Sequence, residues 1–215
     1  MSSPLLGTEG AVEAEFPDVG VPAHYGDPFA EQRALSVGAA VVDRSNLDVV
    51  TISGPDRLSW LNSLSTQKID DLAPGVAATT LILSPHGHVE HFLSLVDDGA
   101  RTWIHVEPGE ADQLVEFLQS MRFMLRVEIA DVSAEYAVLT LMGPERAPAP
   151  PGAVVLDFGY GADLIVDRAS VAATARETAR LAGITAHEAL RIAGHRARFG
   201  TDTDHRTIPH EAGWI

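Results

Sequence analysis

Cysteine is absent from all 215 residues. That excludes a disulfide framework, a thiolate nucleophile and any cysteine-ligated metal centre within this chain. Basic residues are scarce: 15 Lys and Arg stand against 30 Asp and Glu, a net charge of −15. Non-specific nucleic-acid binding needs clustered Lys and Arg against phosphates, so this balance argues against a direct nucleic-acid partner. It leaves room for a small basic pocket, and its plainest effect is to keep a soluble protein soluble. No apolar run approaches the roughly 20 residues that cross a bilayer, so no membrane partner is expected. The N-terminal stretch MSSPLLGTEGAVEAEF is acidic and lacks the basic and long apolar regions of a secretory signal. The expected location is cytoplasmic. G-x-S-x-G, Walker A and G-x-G-x-x-G motifs are missing too, which removes the common sequence signals for a nucleophile elbow, a phosphate loop and a dinucleotide fold.

What is present is a dense alternation of short elements. Residues 1–24 hold Pro4, Gly7, Gly10, Pro17, Gly20 and Pro22, with little periodicity, and read as a loose arm. Asp27-Pro28 starts a helix, with Asp27 as N-cap and Pro28 in the first turn, running through Leu35 to Gly38. AAVVD (39–43) and LDVVTISG (47–54) read as strands rich in β-branched residues. A helix follows Gly54-Pro55-Asp56, with Leu58, Leu61 and Leu64 on one face. Strands at 78–84 and 88–96 flank the turn Pro85-His86-Gly87 as a hairpin, and a third strand spans 101–106. Residues 109–121 form an amphipathic helix on Leu114, Phe117, Leu118 and Met121. Strands at 125–130, 135–142, 153–158 and 162–166 and helices at 169–182 and 185–193 complete the reading. Hairpin-joined strands interspersed with helices predict an α+β fold with mostly antiparallel sheets.

Several segments resemble a known family when taken in order. VVDRSNLDVVTISGPDRLSWLNSLSTQKIDDLAPG (41–75) has the strand–strand–helix pattern of the glycine-cleavage T-protein (aminomethyltransferase) superfamily. The Pro85–Val89 turn, the strand ending Leu141-Met142-Gly143-Pro144, and ALRI, RFG and IPHEAGW between Ala189 and Trp214 continue it. The last of these is most similar to the folate-binding YgfZ branch, and the chain stops at Ile215, before that branch's K-G-C-Y-x-G-Q-E signature and C-terminal barrel. The resemblance implies two lobes of a folate channel, the barrel lobe being absent. One lobe combines 25–47 with 141–215, and the middle α+β lobe is 48–140. It also implies tetrahydrofolate or a one-carbon derivative as cofactor.

The resemblance directs attention to particular residues. Where T-proteins carry an Asp pair that assists transfer to folate, this chain has Glu90 and His91, the candidate catalytic residues. A Glu can act as base there, with its oxygen displaced by about a bond length, and a misplacement of about 1 Å can cost ~100-fold. Glu90 reads equally as an ordinary polar strand position. Asp163 falls where the family sets an acidic residue against the pterin, whose N–H donors a carboxylate can accept; it also reads as a turn residue after Gly161. Arg191 matches an arginine suited to a folate carboxylate, or reads as a helix-surface ion pair with His187 or Glu188 nearby. Trp214 is a candidate channel wall, or a core aromatic. His86 and His88 can share a hairpin face while His91 is expected to point away, so no metal site is predicted. Three functions remain open. The first is a YgfZ-like folate-binding accessory protein serving iron–sulfur proteins or their assembly factors and, through them, tRNA modification. The second is a tetrahydrofolate-dependent aminomethyltransferase, against which Glu90-His91 counts. The third is a bare interaction surface.

Overall fold

The computed structural model describes residues 2–215. In chain order the elements are β1 (Val12–Glu13), β2 (Pro22–His24), α1 (Pro28–Val37), β3 (Ala40–Asp43), β4 (Asp48–Ser53), α2 (Arg57–Leu64) and β5 (Ala77–Leu83). They continue as β6 (Val89–Asp97), β7 (Arg101–Val106), α3 (Ala111–Ser120), β8 (Glu128–Asp131), β9 (Tyr136–Met142), β10 (Val154–Asp157) and β11 (Gly161–Asp167). Last come α4 (Val171–Thr178), β12 (Arg180–Ala182) and α5 (Ile184–Ala193). The fold is α+β with mostly antiparallel sheets, as expected. Local chemistry starts α1 where the sequence places it: the Asp27 carboxylate accepts the Ala30 N–H at 2.9 Å, and Pro28 occupies the first turn.

The chain divides into two compact units. The first comprises residues up to Leu47 together with Ala134–His195. Its sheet runs β10-β11-β9-β3-β12, antiparallel throughout except that β12 lies parallel to β3. Strand β3 shows why its sequence lacks alternation. Val41 packs with Leu5, Leu139, Leu164 and Val171, whereas Ala40 and Val42 pack with Leu35, Ile184 and Ala186. Both faces of this strand are therefore covered, one by α4 and the other by α1 and α5, and a doubly covered strand reads as a continuous apolar run. On β9 and β11 the same period of two sends Leu139, Leu141, Ala162 and Leu164 to the α4 face. It turns Thr140 and Asp163 to the opposite face, the one that α5 covers.

Two expectations change here. The stretch 2–24 is tied down: Leu5 and Val21 are fully buried, β1 pairs with β2, and the Ser3 hydroxyl donates to the Asp43 carboxylate. The helix expected over 169–182 ends at Thr178, and Arg180–Ala182 pairs with Ala40–Val42 instead. An open edge on β3 offers those residues ladder hydrogen bonds that outweigh their helical propensity.

The second unit comprises Asp48–Ser133 with Arg196–Ile215. Its sheet, β5-β6-β7-β4-β8, is antiparallel throughout. α2 and α3 bury Trp60, Leu61, Leu114 and Leu118 against Ile52, Leu93, Leu95 and Ile104. Each fully buried leucine contributes about 1.5–3 kcal/mol to that union. The tail from Arg196 belongs to this unit, whereas the sequence reading grouped it with the N-terminal part. The cause is specific. The Arg198 guanidinium grips Glu107 at 3.0 and 2.8 Å, and the Val89 N–H donates to the Thr207 carbonyl at 3.0 Å.

Candidate functional site

In the first unit a charged cluster forms on the α5-facing side of the sheet. Asp163 on β11 sits directly opposite Thr140 on β9. The Thr140 hydroxyl donates to the Asp163 carboxylate at 2.6 Å, and Arg44, just past β3, lies 3.8 Å from the same oxygen. α5 adds His187, Glu188 and Arg191. The Arg191 Nε reaches the two Glu188 oxygens at 3.1 and 3.0 Å, and Glu188 also lies 3.3 Å from His187 Nδ1. Burial pushes the His187 pKa below the ordinary imidazole value. Glu188 and Asp163 pull it up and Arg44 pushes it down, but burial dominates. The ring is therefore neutral near pH 7. Asp163, His187 and Arg191 are all buried. Desolvating charges costs several kcal/mol per ion, roughly, before pairing offsets it, so such clusters mark functional sites more often than they add stability.

In the second unit a groove of about 760 Å³ runs between the β5–β6 turn, the start of β6, α3 and the tail at 199–205. Glu90 and His91, adjacent on β6, both line it. A regular strand would send one of them to each face. Here Ile82 pairs with His91 while Leu83 pairs with Val89, so Glu90 is the extra residue of a β-bulge. Bulges re-aim side chains in this way. His86 and His88 line the same groove, which corrects the expectation that His91 points away from them. Among the described residues, no group of three or more His, Asp or Glu is placed to hold a metal ion. Glu90 is exposed and His91 is buried. Burial pushes the His91 pKa down, and its ring lies 5.8 Å from Phe117 on α3.

The structure thus brings Glu90 and His91 into one groove, and Asp163 and Arg191 into one polar cluster of the first unit. Trp214 is half-buried in the second unit, with ring centroids 4.9 Å from Phe92 and 6.4 Å from Phe199. Arg44, Thr140 and Glu110 are not among the residues that the sequence singles out, and His187 enters there only as an ion-pair neighbour of Arg191. Thr140 had a usable signal, since it is the one polar residue in the apolar strand AVLTLM. Arg44 and Glu110 had none, because their partners are distant in sequence.

The chain is thus built from two α+β units with mostly antiparallel sheets. Residues 5–148 match the GCVT N-terminal domain family, and the chain belongs to it. An aminomethyltransferase of Nitrosococcus oceani is 24% identical, over 95% of this chain and 64% of its own length. A probable aminomethyltransferase of Aeropyrum pernix is 28% identical, over 83% of this chain and 46% of its own. The crystal structure of the glycine cleavage system aminomethyltransferase T of Bartonella henselae superposes with a TM-score of 0.82. It is 16% identical over 95% of this chain and 64% of that one, a likeness of fold. The chain thus spans less than two-thirds of the length of these relatives. Among the described residues, no helix is long and apolar enough to cross a membrane.

Proposed function

We propose that this chain takes part in tetrahydrofolate-dependent one-carbon transfer of the aminomethyltransferase type. The observation that carries the reading is the family match over residues 5–148, with relatives named aminomethyltransferase aligned across nearly the whole chain. Each unit, taken by itself, presents groups whose chemistry suits part of a reduced folate. Asp163 is a buried carboxylate suited to amino and ring N–H donors. Arg191, whose Nε and Nη2 both engage Glu188, adds a fixed positive charge to the same cluster, of the sign that draws a carboxylate. Trp214, beside Phe92 and Phe199, offers flat aromatic surface. Bound tetrahydrofolate would supply the nitrogens that accept the one-carbon unit. His91, kept neutral by burial, is the proton acceptor of the groove, and Glu90 on the bulge is an exposed carboxylate beside it.

A second reading has one observation in its favour. The acidic pair that the resemblance expects is replaced by Glu90-His91, which suits a YgfZ-like protein that binds folate in support of iron–sulfur proteins without transferring an aminomethyl group. Two measurements on the full chain separate the readings: calorimetry with tetrahydrofolate, and a glycine-cleavage assay with the lipoyl carrier protein. Saturable binding with turnover supports the transferase. Saturable binding without turnover favours the accessory role. Absence of binding removes both and leaves an interaction surface.

A further inference from the structure

His91 lines the groove, yet its Nδ1 is buried and has no hydrogen-bond partner among the described residues. Buried polar atoms are rarely left so unless a functional change completes them. The acid closest to hand is Glu110, whose Oε2 lies 3.9 Å from that nitrogen. The gap is too long for a hydrogen bond, but catalytic hydrogen bonds are commonly loose before a ligand binds. Glu110 is well anchored. It opens α3, and the Asp48 carboxylate accepts the N–H groups on both sides of it, Gly109 at 2.8 Å and Ala111 at 3.1 Å. Phe117 on the same helix flanks the His91 ring. One helix therefore supplies both the acid and the aromatic wall of this histidine.

We propose that Glu110 is the positioning residue of His91: its carboxylate takes the Nδ1–H, fixes that tautomer, and leaves Nε2 as the nitrogen that accepts a proton in the groove. This rests on the reading of the groove as a transfer site. In the step, an N–H bond of the groove ligand breaks and its proton passes to Nε2. The ligand nitrogen keeps the electron pair, and the imidazolium so formed is stabilised by Glu110. The surroundings are consistent. Burial raises the Glu110 pKa, and Glu107 and Asp48 raise it further, so a cationic neighbour relieves that carboxylate. Glu107 is itself engaged by Arg198. The other ionisable groups along the groove are Glu90 on β6, Glu116 on α3, His86 and His88 on the turn, and Asp204 and His205 on the tail.

The test is an NMR titration of imidazole signals in the full chain, in the wild type and in the variants Glu110→Gln, Glu110→Asp and Glu116→Gln. Glu110→Gln is expected to lower the His91 midpoint, because it removes the charge that favours imidazolium, and to erode the Nδ1–H tautomer. Glu110→Asp is expected to recover part of both, and Glu116→Gln to move neither. Undisturbed signals from the other histidines report intact folding. In a turnover assay Glu110→Gln is expected to lower kcat about 10- to 100-fold at unchanged KM, with the acid limb following His91. An unmoved His91 midpoint, or an equal shift in Glu116→Gln, overturns the proposal. The titration needs no folate. A shifted midpoint in a protein that does not bind tetrahydrofolate would therefore sink the transfer reading and keep the pair. Turnover with an unmoved midpoint would sink the pair alone.

Discussion

Asp163→Asn separates a functional carboxylate from a structural one. The substitution keeps an acceptor for the Thr140 hydroxyl, which donates at 2.6 Å, and removes the charge facing Arg44 at 3.8 Å. At that distance and an effective dielectric of about 20 the gross attraction is roughly 4 kcal/mol. Desolvation of two largely buried groups offsets most of it, so the net loss is about 1–3 kcal/mol. Thermal unfolding should show a fall of roughly 3–10 °C. If Asp163 also accepts N–H donors of tetrahydrofolate, a charge-assisted hydrogen bond is weakened, worth about 1.5–3 kcal/mol. That is about a 10- to 150-fold rise in Kd by calorimetry. Thr140→Val is the control. It removes the hydroxyl but not the charge, and should cost about 1 kcal/mol of stability with little change in affinity. A variant Asp163→Asn that loses stability as worked out, yet binds folate within about twofold of wild type, would show that the carboxylate serves the fold and not the ligand.

The remaining expectations concern what holds each unit together. In the second unit Asp97 accepts Arg57 Nε and Nη2, both at 2.7 Å, the Thr102 hydroxyl at 2.7 Å and the Gly99 N–H at 2.8 Å. Removing that one partner by Asp97→Ala should cost about 3–5 kcal/mol in urea unfolding at pH 7. Burial alone would raise the Asp97 pKa, but these donors hold it below the ordinary value. Its stabilisation is therefore complete above about pH 4 and is lost as pH falls through the lower folded value. The gap between wild type and variant should narrow below about pH 4, and an undiminished gap at pH 2 would contradict the assignment. In the first unit Gly143 has φ +117°, and a Cβ there would lie 2.1 Å from the Gly38 carbonyl oxygen. Gly143→Ala should cost about 2–4 kcal/mol through strain and displacement of that backbone, and a cost under 1 kcal/mol would refute the close approach.

The elements that local chemistry dictates were legible in the sequence. Asp27-Pro28 marks the start of α1, and Leu114 and Leu118, four apart, mark the buried face of α3. What escaped depends on partners far along the chain. Arg180–Ala182 reads as helix until β3 offers it an edge. Residues 2–24 read as loose because nothing in their own pattern shows that Leu5 fills a core beside Val171 and Ala175. The site divides in the same way. Glu90, His91, Asp163, Arg191 and Trp214 were picked out one by one on resemblance. Which of them share surroundings was decided by the Asp163–Thr140 register and by the extra residue at Glu90. A strand period of two places Glu90 and His91 on opposite faces, and only a bulge overrides it.

The departure that the resemblance implies at residue 91 has a physical reading of its own. A carboxylate as buried as this side chain, 8% exposed and beside Phe117, would be pushed towards its protonated form and would cease to be a base near neutral pH. Burial acts on an imidazole in the opposite sense. It favours the neutral ring, which is the proton-accepting form. Exchanging an acid for His91 at a dry position thus keeps a proton acceptor where a carboxylate would need polar donors to stay ionised. Among the described residues, no such donor reaches the His91 Nδ1. What the exchange gives up is negative charge, and Glu110, 3.9 Å away on a separate element, restores it to the pair. Substituting Asp at 91 without altering Glu110 would set two carboxylates against each other in a buried corner. That arrangement forces one of them to hold a proton, so the acid and the histidine are best understood as a single unit of the groove.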